Sequence, residues 1–172
     1  MNMKRSCGVL LPLFSLPSEH GIGTLGKAAY DFIDFLAAAG QSWWQLLPVG
    51  PAGSGDSPYN SFSSFAGNAY CIDLDMLVQD GLLTKEEISA VDWGNDEQSV
   101  DYEKLRAHRM PLLRKAARRG LEKDAEEFDS FCRDNASWLS DYALYMALKE
   151  HFGGASWTEW PEDIRLHRAE AV

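Results

Sequence analysis

The segment Leu25-Gly-Lys-Ala-Ala-Tyr-Asp-Phe-Ile-Asp-Phe-Leu-Ala-Ala-Ala-Gly-Gln-Ser-Trp-Trp-Gln-Leu-Leu-Pro48 decides the fold class. Leu25, Ala29, Phe32, Ile33 and Leu36 return every three or four residues, the spacing that lines one face of a helix, so a helix is predicted over 25–39. Thr24 stands where a hydroxyl accepts the first unpaired amide hydrogens, and Gly40 stands where the chain must leave the helix. Trp43 to Leu47 is short, apolar and closed by Pro48, the pattern of a strand. Upstream, Gly8-Val-Leu-Leu11 is a continuous apolar stretch ending at Pro12, as expected of a strand covered on both faces in a parallel sheet. Strand, helix and strand in this order form a βαβ unit with a right-handed crossover, which places the chain in the α/β class.

The composition is compatible with a packed domain. The 172 residues are 45% hydrophobic and 24% charged, with 16 basic against 26 acidic side chains and a net charge of −10. That apolar fraction excludes a wholly disordered chain, and no apolar run approaches the roughly 18 residues of a membrane span. The acidic balance repels phosphate backbones. Arg114, Lys115, Arg118 and Arg119 share one side of a predicted helix, but acidic residues flank them and no aromatics interleave, so a solvated face is expected and no nucleic-acid partner. Cys7, Cys71 and Cys132 are odd in number and widely spaced, which suits a reducing compartment. The amino terminus has the basic-then-apolar order of a signal peptide, but Pro12, Pro17 and Glu19 interrupt it; a cytoplasmic protein is predicted.

Beyond the second strand, residues 48–68 suit neither a helix nor a central strand. A loop of about twenty residues inside a compact domain is usually functional or disordered. This one carries Tyr59, Phe62 and Phe65, which favours an ordered loop, and it leaves the carboxyl end of a strand, where ligands of parallel α/β sheets bind. From Asp73 onward the pattern is helical: a capping box at Thr84-Lys-Glu-Glu87, then helices over 102–119, 124–133 and 137–152.

Few residues carry chemistry by pattern alone. Gly21-Ile-Gly-Thr-Leu-Gly26 matches GxGxxG and precedes a helix, but a proline-containing loop separates it from the strand, and no acidic residue ends the second strand to hold a ribose. Those glycines read better as turn residues. Asp73 and Asp75 would share a side if extended, as a glycoside-cleaving pair about 5 to 10 Å apart requires, yet turn and cap chemistry explains them too. His20, His108, His151 and His167 stand alone without metal-ligand spacing, and there is no G-x-S-x-G elbow. No catalytic constellation and no metal site are predicted. What remains is Asp56-Ser-Pro-Tyr-Asn60, where proline fixes the geometry and several hydrogen-bonding groups sit beside a flat ring. This suits a sugar, whose hydroxyls want directional partners and whose C–H faces pack on aromatics, and it also suits an ordinary structural loop. Trp43 and Trp44 are nearby candidates for further aromatic surface, and one or both equally suit packing inside a barrel or against the helix layer.

Four ordered segments resemble the 4-α-glucanotransferases, the amylomaltases or disproportionating enzymes of glycoside hydrolase family 77. They are 6–17, 21–26, Gln41-Ser-Trp-Trp-Gln-Leu-Leu-Pro-Val-Gly-Pro51, and Gly55-Asp-Ser-Pro-Tyr-Asn-Ser-Phe-Ser-Ser-Phe-Ala-Gly-Asn68; Trp157-Thr-Glu-Trp-Pro161 is similar as well. The resemblance implies a TIM (β/α)8 barrel, with 1–75 its amino-terminal portion and 76–172 a mainly helical inserted subdomain. A barrel needs at least about 200 residues, so an amino-terminal fragment is expected, inactive alone and dependent on the remainder of its barrel. The family works by retention through an aspartate nucleophile, a glutamic acid and a further aspartate on later strands; no segment here matches them, so no catalytic residue is carried over. What the resemblance does assign is substrate contact by Ser57 and Tyr59, supported by Asp56, with α-1,4-glucans and maltooligosaccharides as partners and no cofactor. Some relatives carry a tyrosine where this chain has Ser54, serving a second glucan surface that is not expected here. A non-catalytic carbohydrate-binding module and, more distantly, a dinucleotide-dependent oxidoreductase are the alternatives.

Overall fold

The structure, a computed structural model, describes residues 5–53, 55–94, 96, 98–168 and 170–171. Strands β1 (Gly8–Leu10) and β2 (Trp43–Gln45) pair in parallel, with Gly8 opposite Trp43, Val9 opposite Trp44 and Leu10 opposite Gln45. Helix α1 (Lys27–Ala38) connects them, so the predicted βαβ unit is present. The ladder runs one residue beyond β1, where the Leu11 amide donates to the Gln45 carbonyl at 3.1 Å.

Two local expectations need correction. Thr24 does not cap α1. The capping position is Gly26, which has no side chain to offer, and the Thr24 hydroxyl donates instead to Oδ2 of Asp73 at 2.5 Å. The reason is close approach: a Cβ on Gly26 would overlap the Asp73 carboxylate, so that acid lies within reach of Thr24. The first strand is also not covered on both faces: Gly8, Val9 and Leu10 are all exposed, whereas burial of a parallel sheet takes layers on both sides. The end of α1 agrees with its sequence. Gly40 adopts φ +69°, and the amides of Gly40 and Gln41 donate to the carbonyls of Ala37 and Leu36 at 3.0 and 2.9 Å, closing the helix in a left-handed cap.

Leu13, Leu16, Ala29 and Cys71 form the core under this unit, with Phe32 and Trp44 packed against it. The Trp44 ring meets Phe32 edge-on at 5.0 Å, and its Nε1–H donates to the Leu11 carbonyl at 2.8 Å. Trp44 therefore joins helix to sheet.

The chain then turns helical. Asp73 caps α2 (Leu74–Gln79), accepting from the Met76 amide at 2.9 Å. The capping box at Thr84 and Glu87 opens α3 (Lys85–Ser89) as predicted. The helix expected over 102–119 is built in three pieces: α4 (Tyr102–Lys104), a π-helical segment (Leu105–Arg109) and α5 (Met110–Lys123). Leu74, Leu83, Ile88, Leu112, Leu113 and Ala116 knit α2, α3 and α5 together, each large side chain contributing about 1.5–3 kcal/mol through burial.

After α6 (Ala125–Asp134) come α7 (Leu139–His151) and α8 (Glu162–Arg165). By packing the chain divides into Met1–Ala125 and Glu126–Val172. Within the second unit, buried Trp160 lies 5.6 Å from the rings of both Tyr145 and Phe152. None of the described helices is long and apolar enough to cross a membrane.

Candidate functional site

The loop that leaves β2 is folded. At its base the Asn68 amide donates to the Val49 carbonyl at 2.8 Å. Higher up, Ala52 and Ser61 form an antiparallel bridge, and the Gly53 amide donates to the Asn60 carbonyl at 2.7 Å. The returning strand is braced by Ser63, whose Oγ accepts from the amides of Phe65 and Ala66 at 3.2 and 3.0 Å. These backbone closures turn a stretch rich in Pro, Gly and Ser into a finger with residues 55–60 at its tip.

All three residues expected to contact substrate lie on that tip, but they do different things. Tyr59 displays its ring to solvent, 74% exposed. Ser57 is half-buried, and its Oγ accepts weakly from the Tyr59 amide at 3.4 Å, a bond that does not use the hydroxyl proton. Asp56 turns away from solvent toward the helical part of its unit. Nη1 of Arg106, fifty residues later, donates to both Asp56 carboxylate oxygens at 2.9 Å each. Tyr70 and Tyr102 stand beside this pair, their ring centroids 6.4 Å apart. Burial raises both phenols, and for Tyr70 the Arg106 cation opposes the shift while the Asp56 charge adds to it; Asp56 adds to the Tyr102 shift as well. Hydrogen bonding and charge from Asp56 in turn raise the Arg106 guanidinium.

Arg106 is the residue that sequence reasoning missed. It lies two turns before the basic face of Arg114, Lys115, Arg118 and Arg119, and nothing in its local pattern signals a partner fifty positions upstream. On the face read as solvated, Lys115 and Arg119 are engaged as well, each binding Glu87 at 2.8 Å. Hydrogen bonds from Arg119, then Lys115, pull the Glu87 carboxyl down to about 2.

The other candidates have structural roles. In the glycine motif, a Cβ on Gly23 would overlap the Leu13 carbonyl, as one on Gly26 would overlap Asp73; these glycines permit close packing rather than phosphate binding. Asp73 is spent on capping α2 and accepting from Thr24. His20 does not stand alone: its Nε2 lies 3.2 Å from Oδ2 of Asp75 and its ring 5.8 Å from that of Trp93. A cleft of about 900 Å³ is bordered by His20, Thr24, Lys27, Asp31, Asp73 and Asp75, and none of Asp56, Ser57 and Tyr59 lines it. Within it Thr24 is paired with Asp73, His20 with Asp75 and Lys27 with Asp31, whereas the finger presents an exposed aromatic ring, which makes the finger the better candidate despite being an open surface. Trp43 is exposed, with Nε1–H donating to Ser6 Oγ at 2.9 Å. Ser54 lies outside the described residues. Among the described residues no group of three or more His, Cys, Asp or Glu is arranged to hold a metal ion.

Comparison with known proteins gives one consistent result. A family model described as 4-alpha-glucanotransferase matches residues 11–172. A 4-alpha-glucanotransferase of Streptococcus pneumoniae is 50% identical over 171 residues, covering 98% of this chain and 34% of the relative. One from Thermus thermophilus is 45% identical over 176 residues, covering 100% of this chain and 34% of the relative. Among solved structures, the amylomaltase from Streptococcus agalactiae in complex with acarbose superposes with a TM-score of 0.91 at 40% identity, over 98% of this chain and 34% of that one. The chain thus spans about a third of the length of the curated relatives it matches.

Proposed function

This chain belongs to the 4-alpha-glucanotransferase family, glycoside hydrolase 77, and on that premise we propose that it supplies the opening strands and a sugar-contacting finger to an enzyme that moves α-1,4-glucan segments between maltooligosaccharides. In this reading residues 1–75 begin a (β/α)8 barrel and residues 76–172 are a mainly helical insertion. The exposed residues of β1, β2 and α1, among them Leu10, Trp43 and Phe35, are the surfaces that the remaining barrel covers.

The observation that carries the proposal is the display of Tyr59 on a finger closed by its own backbone hydrogen bonds, at the carboxyl end of a parallel strand. An exposed aromatic ring held on an ordered support accepts the C–H face of a glucose unit, and the Ser57 hydroxyl retains a proton to donate to a sugar oxygen. Chemistry comes from carboxylates elsewhere in the polypeptide. One attacks the anomeric carbon while an acid protonates the departing glycosidic oxygen, and a 4-hydroxyl acceptor then displaces the enzyme carboxylate. The finger contributes position, since productive transfer requires the donor chain to be held in register with those groups. The reaction as proposed takes place in the cytoplasm and uses neither metal nor cofactor.

Incubation of the full gene product with maltotriose tests this reading. Release of glucose together with maltooligosaccharides longer than the substrate is the expected result. Retention of glucan without redistribution of chain length would contradict it.

A further inference from the structure

We propose that Arg106 is a positioning residue for the finger tip, acting through Asp56 to fix Ser57 and Tyr59. The consequence for catalysis rests on the glucan-contact reading above; the anchoring itself does not.

Asp56 adopts φ +54°, a left-handed conformation that aspartate tolerates better than most residues but that its surroundings still have to hold. Its local support is slight. The Asp56 amide reaches the Gly53 carbonyl only at 3.3 Å, and Gly55 beside it is also left-handed at φ +85°. The strong constraint comes from the side chain, where Nη1 of Arg106 sits equidistant from the two carboxylate oxygens. Asp56 precedes Ser57 directly, so fixing the Asp56 side chain and its unusual φ sets the direction in which the next three residues leave.

Arg106 is suited to be an anchor because its own base is rigid. It lies in the π-helical segment between Leu105 and Arg109, whose side chains are both fully buried. Such single-turn widenings recur at functional positions because they redirect one side chain without breaking the helix. Here the segment sends Arg109 inward, to the carbonyls of His20 and Ile72, while Arg106 reaches the finger. Tyr70 and Tyr102 wall the pair, and the Asp56 side chain is only 23% exposed, so the ion pair is less screened than one in open solvent. The role this assigns to Asp56 is to hold the tip on which Ser57 and Tyr59 are displayed.

The test compares R106M and R106K with the parent in the full gene product. Hydrogen exchange is followed at the Gly53 and Asn60 amides, alongside steady-state kinetics on maltotriose. R106M is expected to speed exchange at these amides about tenfold while core amides are unchanged, and to raise KM about tenfold with kcat altered less than about twofold. R106K, which keeps the cation, is expected to recover most of both. Unchanged exchange in R106M overturns the proposal, as does a uniform rise across the whole chain, which marks a purely structural arginine. Y59A separates the two ideas. If Y59A weakens glucan binding and R106M does not, the site stands and the anchor falls; if R106M frees the tip while Y59A leaves KM intact, the anchor stands and the glucan reading falls.

Discussion

Nη2 of Arg109 donates to the carbonyl oxygen of Ile72 at 2.6 Å, binding the π-helical segment to a residue 37 positions earlier, between the β2 loop and α2. Its Nη1 donates to the His20 carbonyl at 3.2 Å, so one guanidinium ties three segments of the chain together. The side chain is fully buried. Burial lowers the guanidinium to about 10, with the charge of Asp73 opposing, so it remains a cation at neutral pH.

R109L should therefore cost about 2–4 kcal/mol, since it leaves the two carbonyls without their donors. Urea unfolding at neutral pH measures this, and R109K should recover part of the loss. A midpoint for R109L equal to that of the parent would mean that water or a neighbour replaces the arginine.

The two adjacent tryptophans should behave differently. Trp44 is half-buried, packed on Phe32 and bonded to Leu11, so W44A should destabilise by about 2–3 kcal/mol. In the 172-residue chain by itself Trp43 is exposed, and W43A there should fall within about 0.5 kcal/mol of the parent. Thermal unfolding of the two variants separates them, and equal losses would contradict the packing described.

The identical residue type at 43 and 44 explains why the sequence alone did not distinguish them: alternation along a strand tells that neighbours face opposite ways, not which face the helix covers. The βαβ unit was legible because Ala29, Phe32 and Leu36 repeat with helical period and Gly40 can adopt the left-handed cap. The Thr24 assignment failed through a contact 49 residues away, since only the fold brings Asp73 against Gly26. At the finger, Asp56 to Asn60 was legible as a local cluster of polar groups beside a ring, and Ser57 and Tyr59 were singled out within it only by the family resemblance. Arg106 was not, because charge spacing along a helix carries no information about a loop fifty residues upstream.

Glu87 gives the chain a defined acid sensitivity. Arg119 and Lys115 hold its carboxyl at about 2, below the 4.5 of an unpaired glutamic acid. Its folded value is the lower one, so its contribution is fully present above about pH 4.5 and is lost as the pH falls toward 2. E87Q retains an acceptor for the capping box but not the charge. The melting temperatures of E87Q and the parent should differ at pH 7 and converge near pH 2. A constant difference across that range would show that the ion pairs add nothing.

Glucan contact at the finger depends on the Tyr59 ring, and transfer kinetics of Y59A in the full gene product address it most directly. The ring is exposed, so its removal should leave the melting temperature unchanged while kcat/KM for maltotriose disproportionation falls by about tenfold to a hundredfold, as stacking on the donor sugar is lost. Parental transfer kinetics in a folded Y59A protein would contradict the assignment of this finger to the glucan cleft.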